Sequence, residues 1–202
     1  MKAVGAPVGE VAARCDRALL ARVRANAQPL RARLLELAAR APEGWRPAAR
    51  IALDAARLLE GRGILIAYYP VTPVRVEAGR IAAVSLARYY FFGFAPSRSR
   101  SVIVFFPASG RALDPELRYI LAHELAHAAG YSGEEEAYLL ADALATAFPS
   151  DFAGTDRCAR EYVSRMPEDM VEVSSFDRWV DEHLGEFYDS LFYCCEELKP
   201  VG

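Results

Sequence analysis

The chain has 202 residues, 53% of them hydrophobic and 25% charged, with a formal net charge of −3. That is enough apolar material to bury one substantial core and excludes a disordered or fibrous chain. No run of 18 apolar residues occurs, and the start "MKAVGAPVGEVAARCDR" meets Glu10 and Arg14 before a signal-length apolar stretch can form, so a cytoplasmic protein without a membrane span is expected.

In chain order, residues 1–62 are rich in Ala, Leu and Arg at helical spacing, punctuated at Pro29, at "APEG" and at "GRG", and predict two or three helices. This basic N-terminal region carries 12 basic and 6 acidic side chains, against 12 and 21 in residues 63–202. Its arginines are spread around the helices, which favours packing against the acidic half of the chain over a nucleic-acid face. From Gly63 the texture turns β-rich: "GILIAYY", "PVRVEA", "RIAAVSLARYYFFGF" and "SVIVFFP" predict a small, mostly antiparallel sheet of three to five strands. The rest reads as helical to the end. Helices, then strands, then helices define an α+β fold, with residues 63–202 as the site-bearing domain.

Asn26 and Gln28 are the only amides, and arginine outnumbers lysine by 22 to 2. Loss of thermolabile amides suits a hot host, although a GC-rich genome gives a similar bias. Cys15, Cys158, Cys194 and Cys195 show no CxxC spacing. They read as buried small hydrophobes, or as a disulfide from the adjacent pair to Cys15 or Cys158.

The informative stretch is "LDPELRYILAHELAHAAGYSGEEEAYLLADALATAFP". Asp114 is the expected N-cap of its first helix, with Pro115 at the first helical position and Gly130 closing it. His123 and His127 then lie one turn apart on one face and can share one zinc ion. Glu124, next to the first histidine, is placed to act on a water as general base. Two of the three histidines in the chain stand in this motif. A second helix is expected from near Ser132, where Ser132 and Glu135 have capping-box spacing. That leaves Glu134 and Glu136 open as the third ligand.

"HELAH" followed after six residues by "EEEAY" resembles the gluzincin clan of zinc metallopeptidases, and its spacing through Gly130 to Ala137 is similar to that of a group of membrane-linked bacterial proteins. The resemblance covers about residues 115–148. It implies a peptidase that hydrolyses peptide or protein substrates at one Zn2+ per chain, with His123, His127 and Glu134 as ligands, Glu136 as the fallback and Glu124 as base. Relatives usually carry Asn or Asp where this chain has Tyr138, so Tyr138 or Asp142 is expected to orient His123. The resemblance also implies an electrophile, for which Tyr162, Tyr188 and His183 are the candidates, although Trp179, His183 and Phe187 share a stripe that fits a packed helix face. It further implies a substrate-binding edge strand. "SVIVFFP", with Ser101, Val102, Ile103 and Val104, is the candidate, its rival reading being a buried core strand. "YYFFGF", residues 89–94, reads as a hydrophobic pocket or core. Cys194 or Cys195 near the chain end could reach the open zinc position as a thiolate. The alternative function is a non-catalytic, zinc-stabilised module that binds a partner through the basic helices. The oligomeric state is left open.

Overall fold

A computed structural model describes residues 14–61, 63–93, 100–165 and 167–198. The chain opens with helices α1 (Arg17–Arg40) and α2 (Arg46–Glu60), followed by strands β1 (Ile64–Tyr68), β2 (Thr72–Glu77), β3 (Arg80–Val84), β4 (Ala87–Phe92) and β5 (Arg100–Phe105). Then come α3 (Asp114–Ala128), α4 (Glu134–Ala147), α5 (Asp156–Ser164), β6 (Met170–Glu172), α6 (Val173–Glu182), α7 (Leu184–Leu191) and β7 (Cys195–Glu197). The fold is α+β, as expected. The strands form two sheets, ordered β4-β5-β1-β7 and β3-β2-β6. Both are mixed, because β1 pairs with β5 and β2 with β6 in parallel while the other pairs are antiparallel. The two extra strands, β6 and β7, have three residues each, too few for an alternation pattern to register in the sequence.

Asp16 caps α1 by accepting from the Leu19 amide at 2.9 Å. The helix buries Leu20, Val23, Ala27, Leu30, Leu34 and Leu37, a stripe at alternating three- and four-residue steps. It continues through Pro29, where the sequence predicts a break. Pro29 and Ala25 both lie on the exposed face, so the carbonyl that loses its partner can be hydrated while the buried stripe holds the helix on either side.

α1 and α2 share one core with the rest of the chain: Leu30, Leu34 and Ile51 pack in the same cluster as Ile103, Leu121 and Leu140. The basic arm is tied down further by Arg22–Asp114 at 3.0 Å, Arg24–Glu196 at 3.1 Å and Arg33–Asp151 at 2.6 Å. A disulfide joins Cys15, just before α1, to Cys194, while Cys158 and Cys195 are free.

β5 lies between β4 and β1, so Ser101, Val102, Ile103 and Val104 do not form a sheet edge. Ile103 and Phe105 face the first core, while Val102 and Val104 face a second cluster with Tyr69, Phe176 and Phe187. A strand buried on both faces reads as continuous apolar sequence, which is the core-strand reading of this segment. Among the described residues β4 is the sheet edge beside the motif helix.

Candidate metal centre

α3 is buried almost all round, with Leu117, Leu121, Ala122, Leu125 and Ala126 in the core. Its polar face stands out against that: the side chains of His123 and His127 are only 12% and 14% exposed, and Glu124 is 6% exposed. A polar group so placed requires a partner or a task. The helix starts one residue earlier than expected, with Leu113 as N-cap. Glu116 turns back to accept from the Leu113 amide at 2.6 Å, a task that leaves Asp114 to pair with Arg22.

At the other end Gly130 adopts φ +97°, in the left-handed region, and reverses the chain. The Tyr131 amide then bonds the Ala126 carbonyl at 3.1 Å, and the Tyr131 carbonyl returns to within 2.8 Å of His127 Nδ1. A carbonyl only accepts, so His127 carries a proton on Nδ1, and in the neutral ring this leaves Nε2 as the nitrogen with a free lone pair. The Tyr131 hydroxyl donates to Asp54 at 2.8 Å, which anchors this turn to α2.

α4 starts at Glu134 with Gly133 as N-cap, and its cap makes no side-chain hydrogen bond, so the expected Ser132–Glu135 capping box does not form. The Glu136 carboxylate instead folds back over Gly133, 3.1 Å from where a Cβ would stand. Glu134 is thereby the carboxylate that meets the histidines. Its oxygens lie 3.2 Å from His123 Nε2 and 3.6 Å from His127 Nε2, and the two Nε2 atoms are 3.2 Å apart. For ligand bonds of about 2.0–2.1 Å the edge of a tetrahedron is about 3.3 Å, so the two nitrogens stand at the spacing of a tetrahedral zinc site, with one Glu134 oxygen beside each, Oε2 by His123 and Oε1 by His127. His123, His127 and Glu134 could hold a metal ion; Glu136, the fallback, is not part of the group.

Two features of His123 depart from expectation. Tyr138 meets it ring to ring, edge-on with centroids 4.5 Å apart, and Asp142 is taken by the Tyr119 hydroxyl at 2.6 Å. Nδ1 of His123 is buried and has no hydrogen-bond partner among the described residues. Burial holds the His123 pKa below its ordinary value, against the pull of Glu134.

Glu124 is pushed up to about 8 by burial first and by the Glu134 charge second. A hydrogen bond from the Tyr89 backbone and the Arg88 charge act the other way, and both residues come from the edge strand β4. The motif helix and the open sheet edge are therefore coupled through Glu124. Between them lies a cleft of about 820 Å³ that reaches His123, Glu124, His127 and Glu134 and is walled by Arg88, Tyr138 and Asp177 among others. Arg88 donates to Asp177 at 2.6 Å and to Ser85 at 3.3 Å.

The three expected electrophiles are elsewhere. The Tyr162 hydroxyl sits in a buried network, donating to Asp169 at 2.5 Å and accepting from the Thr72 hydroxyl at 2.8 Å. Tyr188 packs between Phe92 and Phe192, and His183 stacks on Trp179 with Nδ1 3.0 Å from its carbonyl. Trp179 and Phe187 face the aromatic cluster on the far side of the sheet, so the packed-face reading of that stripe holds. Cys194 is committed to its disulfide and Cys195 lies on β7, three strands from β4, so neither supplies a thiolate to the cleft. In "YYFFGF", Tyr89 and Tyr90 line the cleft, Phe92 is core, Phe91 is exposed, and residue 94 lies outside the described residues.

The Tyr131 carbonyl, Arg88 and the edge position of β4 were not among the residues and elements expected at the site. Only the first had a signal, since Gly130 three residues after His127 implies a tight reversal that brings backbone back to the motif. Comparison with family models, with curated proteins and with solved structures returns no match to the chain, so the reading of the site rests on its own geometry.

Proposed function

We propose that the chain is a zinc-dependent peptidase of gluzincin type, with His123, His127 and Glu134 holding one zinc ion and Glu124 acting as general base. The observation that carries this reading is the grouping of two imidazole nitrogens 3.2 Å apart with the Glu134 carboxylate, beside the buried Glu124, in a cleft flanked by the edge strand β4. Bound zinc supplies a Lewis acid for a carbonyl and lowers the pKa of water to about 7. Glu124 takes a proton from the attacking water and delivers it to the leaving amine, and its hydrogen bond from the Tyr89 backbone fixes the carboxylate for both transfers. His127 stays in the ligating tautomer because the Tyr131 carbonyl holds its Nδ1 proton. β4 is the edge strand on the cleft wall, along which an extended peptide can lie. Arg88, a permanent cation on the cleft wall, stabilises negative charge on the carbonyl oxygen in place of the expected tyrosine or histidine.

Zinc stoichiometry and hydrolysis of a quenched-fluorescence peptide library, on the wild type and on Glu124→Gln, test the reading. It requires about one zinc in both proteins and hydrolysis by the wild type alone. A zinc-loaded wild type that cleaves nothing, or a Glu124→Gln variant as active as the wild type, would remove it. The partner-binding alternative loses ground because Arg22, Arg24 and Arg33 of the basic arm are engaged with acidic groups of the same chain.

A further inference from the structure

The metal-bearing cleft does not end at β4. A second hollow of about 590 Å³ opens between β3 and α5, and the two share Ala83, Val84, Leu86 and Thr155 as lining. The shared wall is the β3–β4 connection, which is held in place by the Ser85 amide on the Pro73 carbonyl at 2.9 Å and by the Phe106 amide on the Leu86 carbonyl at 3.1 Å. The second hollow is aliphatic inside: Ile81 and Val163 are half-buried against the core, and the small side chains Ala82, Ala83 and Ala159 leave its space open. Its volume falls in the range of pockets that take a ligand, about 300–1,000 Å³. Asp156, Arg160 and Ser164 supply polar groups from α5.

We infer that this hollow is a side-chain subsite for an aliphatic segment of the polypeptide whose scissile bond lies in the metal-bearing cleft. Because the two hollows share Ala83, Val84, Leu86 and Thr155, an extended chain lying along β4 in the first is led to the second. Recognition is by side chain more than by backbone. β3 pairs only with β2 among the described residues, but the register slips so that Ala82 has no partner, and such a bulge spoils an edge for continuous strand addition. The inference rests on the peptidase reading and supplies its substrate class, leucine- and valine-rich stretches on one side of the cleaved bond.

The test measures binding of two labelled hexapeptides, one of alternating leucine and valine and one of alternating glutamate and serine, to zinc-supplied Glu124→Gln and to the same protein carrying Ala159→Arg. Arginine is nearly as good a helix former as alanine, so α5 survives while its long side chain fills the hollow. The expected result is at least tenfold tighter binding of the aliphatic peptide, lost in Ala159→Arg, with zinc content and circular dichroism the same in both proteins. Equal binding of the two peptides, or a preference that persists in Ala159→Arg, overturns the inference. Self-association that Ala159→Arg abolishes also overturns it, by assigning the hollow to a second copy of the chain. If the preference appears but the zinc-loaded wild type cleaves neither peptide nor a library, the peptidase reading fails while the aliphatic peptide site stands.

Discussion

The two edges of the four-stranded sheet are built in opposite ways. β7 is three residues long, reads Cys-Glu-Glu, and follows directly on the Cys15–Cys194 disulfide. A short, charged strand clamped by a covalent bond is a closed edge. β4, about 14 Å away across three strand spacings, is six residues long, leaves Phe91 63% exposed, and carries Tyr89 and Arg88 toward the cleft. Long, apolar edges invite pairing with another chain, and this one stands beside two histidines and two glutamates. Stability is concentrated at one edge and the candidate chemistry at the other; the buried Nδ1 of His123, without a hydrogen-bond partner among the described residues, belongs to the second.

That division can be broken from either side. The largest effect is expected from Glu124→Gln, which should lower kcat by about 10²–10⁴-fold, the usual worth of a general acid–base. Its thermal unfolding should not fall below that of the wild type, because a neutral amide relieves a buried carboxylate. At the closed edge the opposite pattern is expected. Replacing Cys15 and Cys194 together by alanine should cost about 2–5 kcal/mol, since the disulfide closes a span of 179 residues. Peptide hydrolysis at low temperature and zinc per chain should be unchanged, and a loss of zinc in that double variant would deny that the two edges are independent. Arg88→Ala should then lower kcat by about 10²-fold with little change in stability, read by steady-state kinetics on a single quenched peptide. The smallest effect belongs to the exposed ion pairs of the basic arm. Arg46→Ala should change unfolding free energy by less than about 1 kcal/mol in urea melts, because the side chains of Arg46 and its partner Glu43 are 76% and 85% exposed.

The α+β order and the first five strands were legible because their apolar runs are long enough to show a period. Part of the candidate ligand set was legible for a related reason: i, i+4 spacing on a well-marked helix puts His123 and His127 on one face before any fold is known. Glu134 was reached through a resemblance, and its geometric reason appears only in the fold, where Glu136 is drawn back over Gly133. What the sequence hid was long-range. Nothing local in "SVIVFFP" says that β1 will take one side of β5 and β4 the other, and so the edge was assigned to the wrong strand. Pro29 misled because its effect depends on which face of α1 it occupies. The electrophile candidates lie away from the cleft because Tyr162 is held in a hydrogen-bond network with Thr72 and Asp169, Tyr188 packs on the second core, and His183 stacks on Trp179.

No helix among the described residues is long and apolar enough to cross a membrane. A native disulfide is at home in an oxidising compartment or in the cytoplasm of a hyperthermophile. The cytoplasmic expectation therefore stands only together with the expectation of a hot host, to which the two-amide composition also points.

The central claim is that three side chains from two helices form one metal site. Zinc per chain, measured by mass spectrometry after equal zinc supply and dialysis for the wild type and for Glu134→Ala, tests it most directly. The account predicts close to one zinc in the wild type and far less in the variant, with both proteins folded. No zinc in the wild type, or equal zinc in both, would contradict it and leave "HELAH" as a helix that carries two histidines.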